Sequence, residues 1–508
     1  MESQAVPHRG LITGCAMLAT LMQALDSTIA NVALPYMQGS LSATSDQITW
    51  VLTSYVIAAA IMTAPVGWMA ARYGRKRLFV VCLLGFTATS MLCGAAQSLE
   101  EMVLFRLAQG MFGASLVPLS QATMLDIYPA ERRAQAMAIW GIGVMVGPIL
   151  GPTLGGYLTE FYNWRWVFYV NLPFGVIAVA GLMAFMKEEE TSAGQKFDWT
   201  GFAVLALGVG ALQLMLDRGQ DQDWFTSREI IVEAVLAGLG FYLFVVHLLT
   251  AERPFLPPAI FRDRNFVVAT LLMFAISMVL LASSALLAPY LQNLADYPVK
   301  TAGLAMAPRG IGTMAAMMIA GRIGARLDQR KLIGFGLALL SWSLYEMSLW
   351  TPDVSLQRLV LTLMVQGFAM GAIFNPMSVL AFTTLRPDMR GDGAALLSLF
   401  RNIGSAIGIS VTSFSLARFT QVSHADLVAG LTPFNRLLQS GPFAHMLSPD
   451  SPLGAGVLDA MVRRQAQVIA YNDDYRLMMV ATLTPLLFLP LMRRAHHKPA
   501  PKQGRGRR

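Results

Sequence analysis

One carboxyl group lies deep within an apolar stretch of this chain. Asp26 occupies the stretch 11–34, eight residues from its end, and Arg106 lies about five residues into the stretch 101–125. At a helical rise of 1.5 Å per residue, the two side chains lie at depths of about 12 Å and about 8 Å. We therefore predict that they can pair. A static ion pair between two helices and a proton-loading carboxyl group both fit this pattern.

A second pattern lies in the stretch 134–159, which is rich in glycine and proline. Glycines spaced by four residues let helix backbones approach closely, and proline loosens a helix. Simple close packing explains any single glycine. The combination favours a hinge or gating surface, formed by Gly147, Pro148, Gly151, Pro152, Gly155 and Gly156.

A basic turn follows the second apolar stretch, and a similar turn recurs at 321–331. Matching turns in two halves of a chain are typical of transporters that contain internal repeats. We therefore predict a conformational role for Gly67, Arg72, Gly74, Arg75 and Arg77.

Other polar residues inside apolar stretches are candidates for lining a cavity. The two arginines among them could instead bond to carbonyl groups freed at proline or glycine kinks, and both interpretations stay open. The set comprises Asn31, Gln109, Arg309, Asn375 and Arg401.

Several other kinds of chemistry have no support in the sequence. It contains no Walker A pattern, and its six histidines form no ligand-spaced set with cysteines or acids. The three cysteines all lie in apolar stretches and give no disulfide framework. The basic residues form short clusters between apolar stretches, which is not the single patch that nucleic acid requires. We expect no metal, no cofactor and no nucleic-acid partner.

The composition indicates a membrane protein. Of 508 residues, 55% are apolar and 13% are charged, against about 25% charged residues in soluble domains. About 20 apolar residues are needed to cross a bilayer. This length predicts an all-α integral membrane protein with fourteen spans, at 11–34, 47–71, 77–97, 101–125, 134–159, 165–186, 200–217, 228–251, 266–293, 301–325, 331–350, 356–384, 392–418 and 475–493.

The distribution of lysine and arginine predicts the orientation. With a cytoplasmic N-terminus, the inner segments hold 25 of these residues and the outer segments hold 10, so both termini should be cytoplasmic. The predicted organisation is a cytoplasmic N-terminus (1–10), a six-helix bundle (11–186), a linker with two extra spans (187–251), a second six-helix bundle (252–493) that includes a periplasmic loop at about 419–474, and a basic cytoplasmic tail (494–508).

On these motifs, the chain resembles the major facilitator superfamily, and within it the fourteen-span drug:proton antiporter branch of the EmrB/QacA type. The residues that carry the resemblance are those of 25–35, 67–77, 106–110, 143–156, 216–225, 307–310 and 401–404.

The resemblance implies a major facilitator fold and proton-driven export of hydrophobic, often toxic compounds across the bacterial inner membrane. It also implies that Asp26 is the coupling acid, that Arg106 is its partner, and that a periplasmic adaptor and an outer-membrane channel complete the pump. The loop at 419–474 is then the expected docking surface for the adaptor.

One departure from the family pattern concerns the basic turn. The family usually places an aspartate immediately before the first arginine of this turn, and this chain has Ala71 there; the second turn has Ala325 before Arg326. The usual gating interaction of this carboxylate is therefore not expected.

Other functions compete with drug export at this point. Within the fold, they are export of one specific metabolite, fatty acid or siderophore, and uniport or nutrient symport. Outside it, they are an integral-membrane lipid-modifying enzyme, for which no clustered nucleophile, base or metal set is present, and a sensor or scaffold that moves no substrate.

Overall fold

The computed structural model describes residues 8–129, 132–188, 197–252, 254–323, 328–386, 389–431 and 452–492. Within these ranges the regular structure is helical, with no β-strand, which confirms the predicted all-α class. The second basic turn at Ala325–Arg326, the middle of the predicted loop (432–451) and the basic tail lie outside the described residues.

Nine helices, some of them broken, precede the predicted linker. They are α1 (Arg9–Ser40), α2 (Ser45–Thr63), α3 (Val66–Tyr73), α4 (Arg75–Ala95), α5 (Leu99–Gly113), α6 (Leu116–Ile127), α7 (Arg133–Phe161), α8 (Trp166–Tyr169) and α9 (Asn171–Phe185). We refer to α1–α9 as the N-terminal half.

Two helices form the extra pair, and six form the C-terminal half. The pair is α10 (Trp199–Arg218) and α11 (Arg228–Thr250); the C-terminal half is α12 (Arg264–Pro289), α13 (Val299–Ile323), α14 (Gln329–Met347), α15 (Leu356–Thr383), α16 (Arg390–Ala429) and α17 (Pro452–Leu483). A π-helical turn (Tyr290–Leu294) follows α12, and a 3-10 segment (Thr484–Leu491) follows α17.

The number of membrane crossings can be compared with the predicted fourteen. In the described part of the chain, nine helical segments are long and apolar enough to cross a membrane, and α2 with α3, bent by 59° at Pro65, makes a tenth. The other four predicted stretches fall on further helices, namely α7, α13, α14 and the end of α17 with its 3-10 segment; the described residues of α7 include a shorter apolar run, Gln135–Val144.

Side-chain caps explain where several helices begin. The Thr44 hydroxyl accepts a hydrogen bond from the backbone N–H of Gln47. The Gln47 side chain accepts a hydrogen bond from the backbone N–H of Thr44, and the two bonds form a capping box at the start of α2. The side chains of Ser98, Asp198 and Asp263 each accept one backbone N–H in the first turn of α5, α10 and α12. Each cap satisfies a backbone donor that would otherwise lack a partner in the first turn.

The helices pack as two bundles with a peripheral pair. In the N-terminal half α1 packs on α7 and α9, and α5 packs on α2 and α4; in the C-terminal half α13 packs on α15, and α12 on α16. The halves meet where α7 contacts α13, and where α3 and α6 contact α16. The extra pair packs mainly on itself, and α10 also contacts α2 of one half and α16 of the other.

The glycines of α7 allow its close approach to α1. A Cβ atom at Gly147 would lie 2.6 Å from the Ala24 backbone, and one at Gly155 would lie 2.8 Å from Ile29. A Cβ atom at Gly151 would overlap the Thr28 side chain, whereas Gly156 has no atom within 4 Å of that position. Helix α7 is continuous through this region; the side chains of Pro148 and Pro152 lie outside the described part of the structure.

We expect Gly151→Val to destabilise the fold by about 1–3 kcal/mol, the usual cost of overpacking, because the added side chain must separate α7 from α1. The measurement is thermal unfolding of the purified protein in detergent. Gly156→Val is the matched control, because its side chain enters open space. Equal melting temperatures for the two variants would contradict this account of the packing.

Candidate functional site

Asp26 and Arg106 are in direct contact in the core of the N-terminal half. Nη1 of Arg106, on α5, donates a hydrogen bond of 2.7 Å to Oδ2 of Asp26, on α1. Asp26 is 0% exposed and Arg106 is 1% exposed. The sequence placed these residues at similar depths, and the structure brings them together as a dehydrated ion pair.

Two amides complete the environment of the carboxylate. Nε2 of Gln109 donates to Oδ1 of Asp26 at 2.9 Å, and Nδ2 of Asn171 approaches the same oxygen at 3.4 Å. Gln109 lies one helical turn after Arg106 on α5 and also accepts a bond from it at 2.9 Å. Gln109 was among the predicted cavity residues, whereas Asn171 was missed because only the tertiary fold brings the start of α9 to α1.

The arginine is fixed by contacts beyond the carboxylate. Its Nε donates to the carbonyl oxygen of Val51 at 3.0 Å, and its guanidinium lies 4.2 Å from the centre of the Tyr55 ring. Both residues belong to α2. A buried charge is tolerated when hydrogen bonds satisfy its remaining donors, and cation–π contact adds further stabilisation. The site thus joins α1, α2, α5 and α9.

This arrangement determines what the carboxyl group can do. Because Arg106, Gln109 and Asn171 all direct donors at Asp26, three of roughly four lone-pair positions on the carboxylate are occupied. A proton bound there would remove the charge that strengthens these bonds, and would therefore weaken the contacts that join α1 to α5 and α9. The site is closed to solvent in this conformation.

A second buried acid was not found by the sequence analysis. Asp474 on α17 is 0% exposed, and neither carboxylate oxygen has a hydrogen-bond partner among the described residues. It lies on the buried face with Tyr471, Tyr475 and Met478. The last span was predicted to begin at 475, one residue too late to include Asp474. The helical spacing of 471, 474, 475 and 478 is the signal that could have revealed it.

The predicted cavity residues lie in different settings. Asn31 is exposed on α1, and its amide reaches only the carbonyl of Ser27 at 3.5 Å. Asn375 on α15 is 3% exposed, and its Oδ1 has no hydrogen-bond partner in the described ranges. Neither residue contacts the Asp26 site.

The two arginines of the C-terminal half differ from each other. Arg309 donates to the Ser284 hydroxyl at 2.6 Å and to the Leu280 carbonyl at 3.3 Å, one turn earlier on α12. It therefore bonds to a neighbouring helix, but Leu280 does not lie at a proline or glycine kink. Arg401 on α16 lines a cavity between the two halves.

The basic turn between α3 and α4 is tied to the C-terminal half. Asp126 at the end of α6 pairs with Arg75 of the turn and also accepts a 2.9 Å bond from Arg390, the first residue of α16. Gly74 makes the turn with φ of 87°, a conformation that favours glycine. One carboxylate thus joins both halves; we call Arg75, Asp126 and Arg390 the interdomain latch.

The latch accounts for the departure at Ala71. Asp392 of α16 packs directly against Gly67 of α3, where any side chain would overlap it. Carboxylates at this interface are therefore supplied by α6 and α16 instead of by position 71. Arg72 is exposed, and Arg77 pairs with Glu188 near the surface, outside the latch.

Comparison with known proteins places this arrangement in a family. The family model of the Major Facilitator Superfamily matches residues 16–409. The chain is 35% identical over 486 residues to the Multidrug export protein EmrB of Haemophilus influenzae, covering 94% of each chain. It is 36% identical to that of Escherichia coli K12, covering 92% of this chain and 91% of the other. The Fatty acid resistance protein FarB of Neisseria gonorrhoeae is 31% identical, covering 94% of each chain.

Solved structures share the fold at lower identity. The human organic anion transporter MFSD10 (TETRAN) superposes with a TM-score of 0.60 at 14% identity, covering 95% of this chain and 100% of the other. A bacterial homolog of the human lysosomal transporter Spinster, inward-facing and unoccupied, gives a TM-score of 0.56 at 17% identity, covering 98% and 100%.

We expect Asp126→Asn to loosen the contact between the halves, because the amide removes the charge that holds both Arg75 and Arg390. Spin labels on α3 and α16 should show a longer and broader distance distribution by electron paramagnetic resonance.

Glu188→Gln is the control for Asp126→Asn. Its hydrogen bond from Arg77 lowers the pKa of the Glu188 carboxyl, but both side chains are exposed and neither contacts the C-terminal half. A distribution that widens equally in both variants would remove the special role of Asp126.

We expect Asp474→Asn to stabilise the protein more at pH 8 than at pH 5. A buried carboxylate without a partner costs several kcal/mol, so the gain should reach about 1–3 kcal/mol where the acid must ionise. Asp473→Asn is the matched control, because Asp473 is partly exposed and paired with Arg476. Melting temperatures of the three proteins at the two pH values test this; a pH-independent effect of Asp474→Asn counts against it.

Proposed function

The chain belongs to the Major Facilitator Superfamily and is a membrane transporter rather than an enzyme, and from this premise we propose that it exports hydrophobic and amphiphilic toxic compounds in exchange for protons. The observation that carries the proposal is the buried Asp26 carboxylate, held by Arg106, Gln109 and Asn171. The names of the Haemophilus and Escherichia relatives support multidrug export as the activity.

In this proposal, Asp26 is the proton-coupling acid and Arg106 is its partner. Proton binding neutralises the carboxylate and weakens its bonds to Arg106, Gln109 and Asn171, which lets α1 move against α5 and α9. A buried ionisable group within a bundle is well suited to this task, because its charge state changes the energy of the surrounding packing. The closed site is then one state of an alternating-access cycle.

In this proposal, the interdomain latch is the gate that closes one end of the transport pathway. It holds α3, α6 and α16 together at the end of the molecule that carries the basic turn. With both termini in the cytoplasm, as the distribution of basic residues predicts, this end is cytoplasmic. The latch then stabilises the outward-facing state.

The proposed topology has fourteen spans in the bacterial inner membrane. The nine or ten apolar segments leave α7, α13, α14 and the end of α17 as the remaining crossings. Their positions within the two bundles suit helices that face protein more than lipid.

A periplasmic adaptor and an outer-membrane channel are the proposed partners. With 40 residues, α16 is about 60 Å long at 1.5 Å per residue, which is twice the hydrocarbon thickness of about 30 Å. With 32 residues, α17 is also too long for the bilayer. The described parts of the predicted loop at 419–474 are thus helical extensions beyond the membrane, and they offer a rigid docking surface for the adaptor.

Export of a single class of compound is the second candidate within the fold. The observation that favours it is the 31% identity to the Fatty acid resistance protein FarB along 94% of both chains. A transport assay with a lipophilic dye and a fatty acid separates the two candidates, because a multidrug exporter moves both.

We expect Asp26→Asn to abolish dye movement driven by a pH gradient in proteoliposomes, because the amide cannot bind and release the coupling proton. Dye exchange without a gradient should persist, because this exchange needs no net movement of protons. The measurement is dye fluorescence with the gradient imposed in either direction.

Loss of one partner from a buried ion pair costs about 3–5 kcal/mol, so the Asn variant needs a control for folding. In Asp26→Asn with Arg106→Gln, both charges are removed together, and this double variant should also exchange dye without responding to pH. Gradient-driven transport that survives in either variant would falsify the assignment of Asp26.

A further inference from the structure

One end of the extra pair contacts both halves of the protein. Helix α10 begins near the basic turn, where the centre of the Phe197 ring lies 4.6 Å from that of Trp68 on α3. With 20 residues, α10 is about 30 Å long, so its last residues and the turn that follows lie at the opposite end of the bundle. We call residues 216–224 the brace. They belong to the motif at 216–225, which has no part in the proposed function.

Two residues of the brace contact α2. The carboxylate of Asp217 accepts a hydrogen bond from the hydroxyl of Thr53, which is 4% exposed. The guanidinium of Arg218 lies 5.6 Å from the centre of the Trp50 ring, within the range of a cation–π contact, and it also pairs with Glu229 of α11. Because Trp50 and Thr53 are three residues apart, they share one face of α2.

Two other residues of the brace contact α16. The backbone carbonyl of Leu216 is among the last four of α10, which a helix cannot satisfy by itself, and it accepts a hydrogen bond of 3.1 Å from the Ser410 hydroxyl. The rings of Trp224 and Phe414 lie edge to face, with centres 5.7 Å apart. Since Ser410 and Phe414 are one turn apart on α16, the brace contacts one face of one helix in each half.

A strained turn sets the position of Trp224. Asp223 and Trp224 both have φ of 53°, in the left-handed region that residues other than glycine seldom adopt. The Trp224 backbone N–H donates to the Gly219 carbonyl at 2.8 Å, and the indole ring covers Gly219 so closely that a Cβ atom there would lie 2.8 Å from it. Backbone strain persists only where the surrounding structure imposes it, so the contacts of Trp224 outweigh the strain.

The brace is connected to the proton site through α2. Val51 and Tyr55, which hold Arg106 of α5, lie in the same stretch of α2 as Trp50 and Thr53. One short segment of α2 therefore contacts the brace on one side and the proton site on the other.

We propose that the extra pair braces the two halves against each other: residues 216–224 join α2 to α16 and limit how far these helices separate at the end remote from the latch. The proposal goes beyond the proposed function, because it needs neither a particular cargo nor proton coupling. Since the latch joins the halves at the basic turn, rocking of the halves can open the latch while the brace keeps α2 near α16 and serves as the pivot.

The test measures the distance between α2 and α16 in the full-length protein in nanodiscs. Spin labels are attached at Val56→Cys and Val411→Cys, two exposed positions, and the native cysteines are buried. Electron paramagnetic resonance gives the distance distribution. Thr53→Val removes the hydroxyl and keeps the shape of the side chain, so it should raise the population of longer distances about twofold to tenfold, the effect of losing one hydrogen bond.

Trp224→Leu removes the ring contact with α16 and should raise the same population about twofold to tenfold. Phe225→Leu is the matched control, because Phe225 is exposed in the same turn and, in the described part of the chain, its ring pairs only with that of Trp224. Thr53→Ser keeps the hydroxyl and should retain the wild-type distribution.

The brace is overturned by wild-type distributions in both Thr53→Val and Trp224→Leu, or by an equal change in Phe225→Leu or Thr53→Ser. Should Trp224→Leu not fold, Thr53→Val decides alone, because it removes a single hydroxyl group. These outcomes are separate from those for Asp26. An unchanged distance in a protein that moves dye with a proton gradient overturns the brace alone, and a brace-dependent distance in a protein without that activity overturns the proposed function alone.

Discussion

The N-terminal half is organised around the requirement that a buried charge keep its partners. Asp26 and Arg106 lie 2.7 Å apart with almost no exposure, and a pair in that position is tolerated only when its remaining donors and acceptors are satisfied. Val51, Gln109 and Asn171 meet this need from three other positions in the bundle. One ion pair and its polar partners thus join four helices, α1, α2, α5 and α9.

The C-terminal half handles its buried charges differently. Arg309 bonds to neutral groups of α12, Asp474 has no partner in the described part of the chain, and Arg401 faces the cavity between the halves. None of them forms the closed network seen around Asp26.

The sequence predicted the helical class and the positions of the apolar helices, because hydropathy and length decide these locally. It also placed Asp26 and Arg106 at similar depths, since the rise of a helix is fixed. The sequence could not predict that Asn171 of α9 would reach the Asp26 carboxylate, that Asp126 would join α4 to α16, or that Asp392 would pack on Gly67. Each of these contacts joins residues far apart in the chain, and no local pattern encodes them.

Asp474 was missed for a different reason, since a polar residue at the start of an apolar stretch shifts the predicted boundary.

Helix α7 connects the ion pair to the interface between the halves. On one side, Gly147, Gly151 and Gly155 pack against the segment of α1 that carries Asp26, without side chains that could absorb a displacement. On the other side α7 packs on α13, where Gly141 lies against the Met317 side chain. A tightly packed contact transmits a shift because it has little free volume to take it up. In the proposed mechanism, a movement of α1 at Asp26 is therefore passed to α7, which itself packs on the C-terminal half.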